Sequence, residues 1–155
     1  MVEAMNLIGQ ILLPENVLLD ADSTSKKRVF ERVGILFENT RQISRSQVFD
    51  SLFAREKLGS TGLGHGVAIP HGRIKGLRDA IAAFIKTQTP IPFEAPDGQP
   101  VNLIFVLLVP ERATDLHLQL LGELAQMFSD KTFREQLQNS NDVAAIHQLF
   151  ANWKA

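Results

Sequence analysis

Apolar residues recur along this chain with two periods, and the switches between them outline its elements. After the cap-forming residues at 23–25, Val29, Phe30, Val33, Leu36 and Phe37 fall at helical spacing. Ser44-Arg45-Ser46-Gln47 has the form of a capping box and opens a second helix. Its stripe runs through Val48 and Leu52, with Phe49 and Phe53 beside it, and it should stop near Gly59. Val17-Leu18-Leu19 reads as a brief early strand. Val67-Ala68-Ile69, residues 80–87 and residues 102–109 read as three more. The last is almost wholly apolar, as a strand covered on both faces should be. Pro90, Pro92, Pro96 and Asp97-Gly98 mark loop and turn between the last two. Thr114 can cap a helix reaching about Phe128, and residues 131–138 and 142–153 read as closing helices. The order ααβββααα, with the extra early strand, predicts an α/β fold: one domain over residues 1–155, a mixed β-sheet flanked by helices on both faces.

Composition narrows the function classes. A chain of 155 residues suits one domain with one core, and 45% hydrophobic with 21% charged residues is ordinary for a globular protein. A net charge of −1 supplies no basic field for nucleic acid. Cysteine is absent, which removes disulfides, thiol catalysis and Cys-based zinc sites. No apolar run approaches the roughly 20 residues that cross a bilayer, so no membrane insertion is expected. Met1-Val2-Glu3-Ala4-Met5 lacks the pattern of a signal peptide. The expected location is cytoplasmic.

The densest chemistry lies in residues 59–72. Gly59, Gly62, Gly64, Gly66 and Gly72 are five of the ten glycines, and His65 and His71 are two of the four histidines. Glycines let backbone amides turn through positive φ and approach a ligand, and consecutive amides can form an anion-binding nest. Pro70 lacks an amide donor and biases Ile69 towards extended backbone, so the strand should end here with the His71 imidazole at its rim. A neutral imidazole beside a cradle for negative charge suits phosphoryl chemistry. His65 lies in the loop and reads as incidental; its spacing to His71 has no metal-site specificity.

Two residues elsewhere stand out. His117 occupies the first turn of the helix after Thr114, with Leu121, Leu124 and Phe128 on its face. A helix N-terminus disfavours imidazolium, so His117 is either a neutral donor at a site or a core histidine satisfied by a backbone carbonyl. Arg55 falls on the apolar stripe of its helix. It either complements the helix C-terminus with its stem buried, or reaches over the glycine run to phosphate oxygens. Other motifs fail. No Gly-Lys-Ser/Thr closes a Walker loop, Gly62-x-Gly64-x-Gly66 is not a dinucleotide fingerprint, and Ser60 is not in a nucleophile elbow.

The segment from Gly59 to His71 resembles the phosphorylation-site segment of the mannitol/fructose-type enzyme IIA family of the phosphoenolpyruvate-dependent phosphotransferase system. The likeness extends to Arg55-Glu56, Leu107-Leu108-Val109-Pro110 and His117-Leu118. Ser25-Lys26-Lys27-Arg28, a short leader and the lack of an attached IIB, IIC or HPr-like domain make the chain most similar to stand-alone nitrogen-regulatory IIA proteins. The resemblance implies that His71 takes a phosphoryl group from an HPr-like phosphohistidine carrier. His117 would be the second active-site histidine and Arg55 the charge stabiliser. Amides around Gly62, Gly64 and Gly66 would hold phosphoryl oxygens, with no metal or other cofactor. Regulatory targets such as potassium-transport or sensor-kinase proteins are then expected. The alternative is a sugar-transport IIA that passes phosphate to a IIB protein.

Overall fold

The computed structural model describes residues 6–112 and 114–155. Met1 to Met5, read above for a targeting signal, and Ala113 lie outside the described residues. The elements are α1 (Leu7–Ile11), β1 (Leu12–Ala21), α2 (Lys26–Arg41), α3 (Arg45–Lys57), β2 (Gly62–Gly64), β3 (Val67–Ala68) and β4 (His71–Ile74). They continue with β5 (Ile81–Ile91), β6 (Val101–Pro110), α4 (Thr114–Ser129), α5 (Lys131–Asn139) and α6 (Val143–Asn152). The strands form one mixed sheet in the order β1-β5-β6-β3-β2, and β4 takes over the edge of β6 where β3 leaves it. β1 runs parallel to β5, β5 antiparallel to β6, and β3 and β4 both parallel to β6.

The alternation of β6 divides the core. Leu103, Phe105, Leu107 and Val109 face the layer of α1, α4, α5 and α6, whereas Ile104, Val106 and Leu108 face α2 and α3. All seven are buried, as the continuous apolar run predicts. Phe150 of α6 anchors the first layer against Phe84, Phe105 and Phe133, with ring centroids 5.0, 5.3 and 5.2 Å away. Such pairs each contribute about 0.5–1.5 kcal/mol beyond their buried area.

Local signals set most boundaries. The Ser25 hydroxyl accepts the Arg28 N–H at 3.2 Å and caps α2. Ser44 caps α3 through the Gln47 N–H at 3.5 Å, but the Gln47 amide donates to the Lys75 carbonyl instead of closing the box. Asp142 caps α6. Thr114 is itself the first helical residue of α4, not the residue before it.

Three departures matter. The early strand is ten residues long and carries Pro14; it lies at the sheet edge, where a missing N–H is tolerated, and its register shifts between Leu12 and Val17. β5 continues past Thr87 to Ile91. His71 begins a strand instead of ending one. The Pro70 carbonyl still accepts the Leu107 N–H at 3.0 Å, so the chain stays on β6 although proline offers no donor.

Candidate functional site

His71 opens β4 opposite Leu107, at the break in the sheet edge between β3 and β4. One of its ring nitrogens is fixed. Nδ1 lies 2.7 Å from the Ile69 carbonyl, and because a carbonyl only accepts, Nδ1 carries the proton. The lone pair is therefore on Nε2. Burial pushes the ring below the ordinary imidazole range. The Ile69 hydrogen bond pulls it up, the Arg55 charge pushes it further down, and the Glu56 carboxylate opposes that. At neutral pH, His71 is a half-buried, neutral imidazole with Nε2 as its nucleophilic atom.

His117 arrives from the first turn of α4, whose start is placed by the turn after β6. The two rings meet edge to face, 5.2 Å between centroids and 76° apart. Burial, then His71, Arg73 and Arg55, lower its proton affinity, so it too is neutral. Its Nε2 is buried and has no hydrogen-bond partner among the described residues. An orphaned polar atom of this kind costs about 1–3 kcal/mol unless a ligand or water completes it.

Arg55, in the last turn of α3, donates Nη1 to the Gly59 carbonyl at 2.8 Å. That bond folds the guanidinium over the loop and brings its charge to both imidazoles. The loop is pinned from the next residue. Glu56 accepts the Thr61 N–H at 3.1 Å on Oε1 and the Thr61 hydroxyl at 2.7 Å on Oε2, while Lys26 Nζ sits 2.9 Å from Oε1. His71, His117 and Arg55 thus come together from β4, α4 and α3.

The glycine turn does not join them. Gly64 and Gly66, with φ of +90° and +80°, shape the β2–β3 turn at the opposite end of β6. The Gly66 carbonyl bonds Asn102 and Leu103, while His71 pairs with Leu107. Four residues of strand separate those positions, about 13 Å. Two of the local amides are also committed: the His65 N–H to Asp97 at 2.9 Å and the Gly62 N–H to Ser60 Oγ at 3.0 Å. Gly62 packs against Ala95. The structure thus does not bring Gly64 and Gly66 beside His71; with Gly62 they build a hairpin. His65, exposed at φ +57°, belongs to that turn and has no place beside His71.

Sequence reasoning missed Arg73, whose charge reaches His117. The β-period places it on the face of His71, two residues on, but only after β4 is known to be a strand. Among the described residues, no three His, Asp or Glu side chains converge as metal ligands, and no helix is long and apolar enough to cross a membrane.

The family model described as "Phosphoenolpyruvate-dependent sugar phosphotransferase system, EIIA 2" matches residues 10–153. A nitrogen regulatory protein of Pseudomonas aeruginosa is 42% identical over 92% of this chain and 93% of its own length. A fructose-specific EIIA component of Haloferax volcanii is 31% identical over 93% and 94%. Among solved structures, the nitrogen regulatory protein IIA-Ntr of Neisseria meningitidis superposes with a TM-score of 0.89 at 52% identity, covering 94% of this chain and 99% of that one. These relatives share the chain almost from end to end. The protein therefore belongs to the EIIA type 2 family of the phosphoenolpyruvate-dependent phosphotransferase system, with its nitrogen-regulatory members as its nearer likeness.

Proposed function

We propose that this chain is a histidine phosphocarrier that accepts a phosphoryl group on His71 Nε2 from an HPr-like phosphohistidine protein and regulates target proteins by its phosphorylation state. The observation that carries the reading is the pair of imidazoles. His71 is held as the Nδ1–H tautomer by Ile69, and His117 stands 5.2 Å away with an unpartnered, buried Nε2.

In the transfer, the Nε2 lone pair forms the new P–N bond while the donor's P–N bond breaks. The bonding pair returns to the donor ring nitrogen. Nδ1–H stays on the Ile69 carbonyl throughout, so no proton need leave His71. His117 Nε2–H donates to one phosphoryl oxygen, and the Arg55 guanidinium offsets charge spread over the others. Catalysis of this kind is positioning plus charge stabilisation. Leu58 at the end of α3 and Leu118 beside His117 are 85% and 66% exposed, which gives the rim an apolar surface for a transient donor contact.

Incubation with a phosphorylated HPr-like protein should place an acid-labile, alkali-stable phosphate on the chain. Full labelling of His71→Ala overturns the assignment. His117→Ala should slow the transfer while leaving donor binding intact; an unchanged rate makes His117 a packing residue. Phosphate-dependent capture of a non-transport target supports regulation, whereas onward transfer to a sugar IIB protein supports the transport reading.

A further inference from the structure

Arg73 stands where a second cation could meet the phosphoryl group. His71 and Arg73 leave the same face of β4, with Cα atoms about 7 Å apart. Gly72 and Ile74 face the other way, Gly72 against Ser51 of α3 and Ile74 into the α2–α3 core. The face holding His71 and Arg73 is thus the one from which His117 arrives. Arg73 is exposed, and its Nη1 donates to the Glu111 carbonyl at 3.2 Å, in the turn between β6 and α4.

Its charge is not cancelled. Arg28 and Arg45 pair with Glu31 and Glu38 at 3.3 and 2.7 Å. Arg55 and Arg73 instead each hold a backbone carbonyl, of Gly59 and Glu111, and neither has an ion pair among the described residues. A carbonyl aims a guanidinium without neutralising it. Each fork has five N–H donors, and one bond leaves the rest for an anion. Both charges reach His117, and that of Arg55 reaches His71 as well, so the imidazole pair has two unneutralised guanidinium groups in range.

We propose that Arg73 is a second phosphoryl-binding guanidinium, reaching the group on His71 Nε2 along β4 while Arg55 reaches it from α3. This rests on the histidine-carrier reading above. Arg73 donates N–H bonds to phosphoryl oxygens as the P–N bond forms, and it gives up no proton. Two other roles compete: a strut that only ties β4 to the β6–α4 turn, and a cation that only docks an acidic face of the protein donor.

Phosphoramidate separates them, because it delivers the phosphoryl group without a protein surface, its P–N bond breaking as ammonia leaves. Labelling rates of wild type, Arg73→Gln and Arg73→Lys are measured with phosphoramidate and with the phosphorylated HPr-like protein, alongside melting temperature. Arg73→Gln should slow both reactions about tenfold, the scale of one charge-assisted bond. Arg73→Lys should recover part of the rate, with melting temperatures near wild type. Slowing with the protein donor alone makes Arg73 a docking residue and overturns the proposal, as do unchanged rates with both donors. Slowing matched by a lost fold in both variants also overturns it, in favour of the strut. A wild type that takes no label from either donor overturns the carrier reading and this inference together.

Discussion

Replacing Glu56 should reveal how much of the site's geometry rests on one buried carboxylate. Its side chain is 4% exposed, and it accepts two hydrogen bonds from Thr61 while pairing with Lys26. Glu56→Ala leaves the buried Thr61 N–H and hydroxyl without acceptors, at about 1–3 kcal/mol each if neither is rescued. It also leaves Lys26, 16% exposed, with the Phe93 ring at 4.8 Å and Glu94 at 3.9 Å among the described residues. Water can reach part of that ammonium, so the losses do not simply add. The expected total is about 3–5 kcal/mol, the range for removing one partner of a buried pair. For a chain of this size each kcal/mol moves the melting temperature by about 2–4 °C, so Glu56→Ala should melt about 6–20 °C below wild type. Glu56→Gln keeps the shape and one acceptor, and should cost about 1–2 kcal/mol. Urea denaturation measures both, and a cycle with Lys26→Met isolates the ion pair, with an expected coupling of at least about 1 kcal/mol. The functional corollary follows through the loop. Thr61 holds residues 58–61, whose Gly59 carbonyl holds Arg55, so folded Glu56→Gln should accept phosphate more slowly than wild type. A stability within about 0.5 kcal/mol of wild type for Glu56→Ala, or a coupling near zero, refutes the reasoning.

Gly66→Ala tests the place of the glycine turn. Its Cβ would meet Asn102 only at 3.6 Å, so the cost is backbone strain at φ +80°, about 1–2 kcal/mol in urea. The labelling rate of the folded variant should be unchanged, and a tenfold slower rate would return the turn to the phosphoryl site. Acid should act through both imidazoles. Their folded proton affinities lie below the unfolded value, so the unfolded chain takes up protons first as pH falls. Stability should therefore decline from about pH 6.5 downward until the folded rings also protonate. Urea titrations at several pH values should show a shallower decline for His71→Gln, and equal slopes would contradict the burial argument. The labelling rate should stay level from neutral pH upward for the same reason, because the His71 nucleophile is already deprotonated.

The layers of this fold were legible because their signals are local and repeated. The run from Val101 to Val109 can only be covered on both faces, and the stripes of α2 and α3 show which side they bury. What escaped was set by tertiary contact. β4 has a glycine, an arginine and a histidine in four residues, so nothing in its composition marks a strand; it forms because β6 offers an edge just where Pro70 interrupts β3. α1 is a single turn capped by Asn6 and held against α6, too short to show a period. The imidazole pair was legible only through the family resemblance, since the helical face of His117 reads equally as core.

The glycine-rich run was harder to read for a more instructive reason. Positive φ serves a hairpin as readily as an anion nest, and a sequence does not show where amide donors are spent. Here Asp97 and Ser60 take the His65 and Gly62 donors, and the distance along β6 separates the turn from His71. The same accounting applied to cations gives the opposite result. Arg55 and Arg73 also have their partners, but those partners are neutral carbonyls, which fix direction and leave the charge whole. Their charges meet at His117, which burial keeps neutral and whose Nε2 has no hydrogen-bond partner among the described residues. A phosphoryl group on His71, as proposed, would complete that nitrogen's hydrogen bond and offset both guanidinium charges.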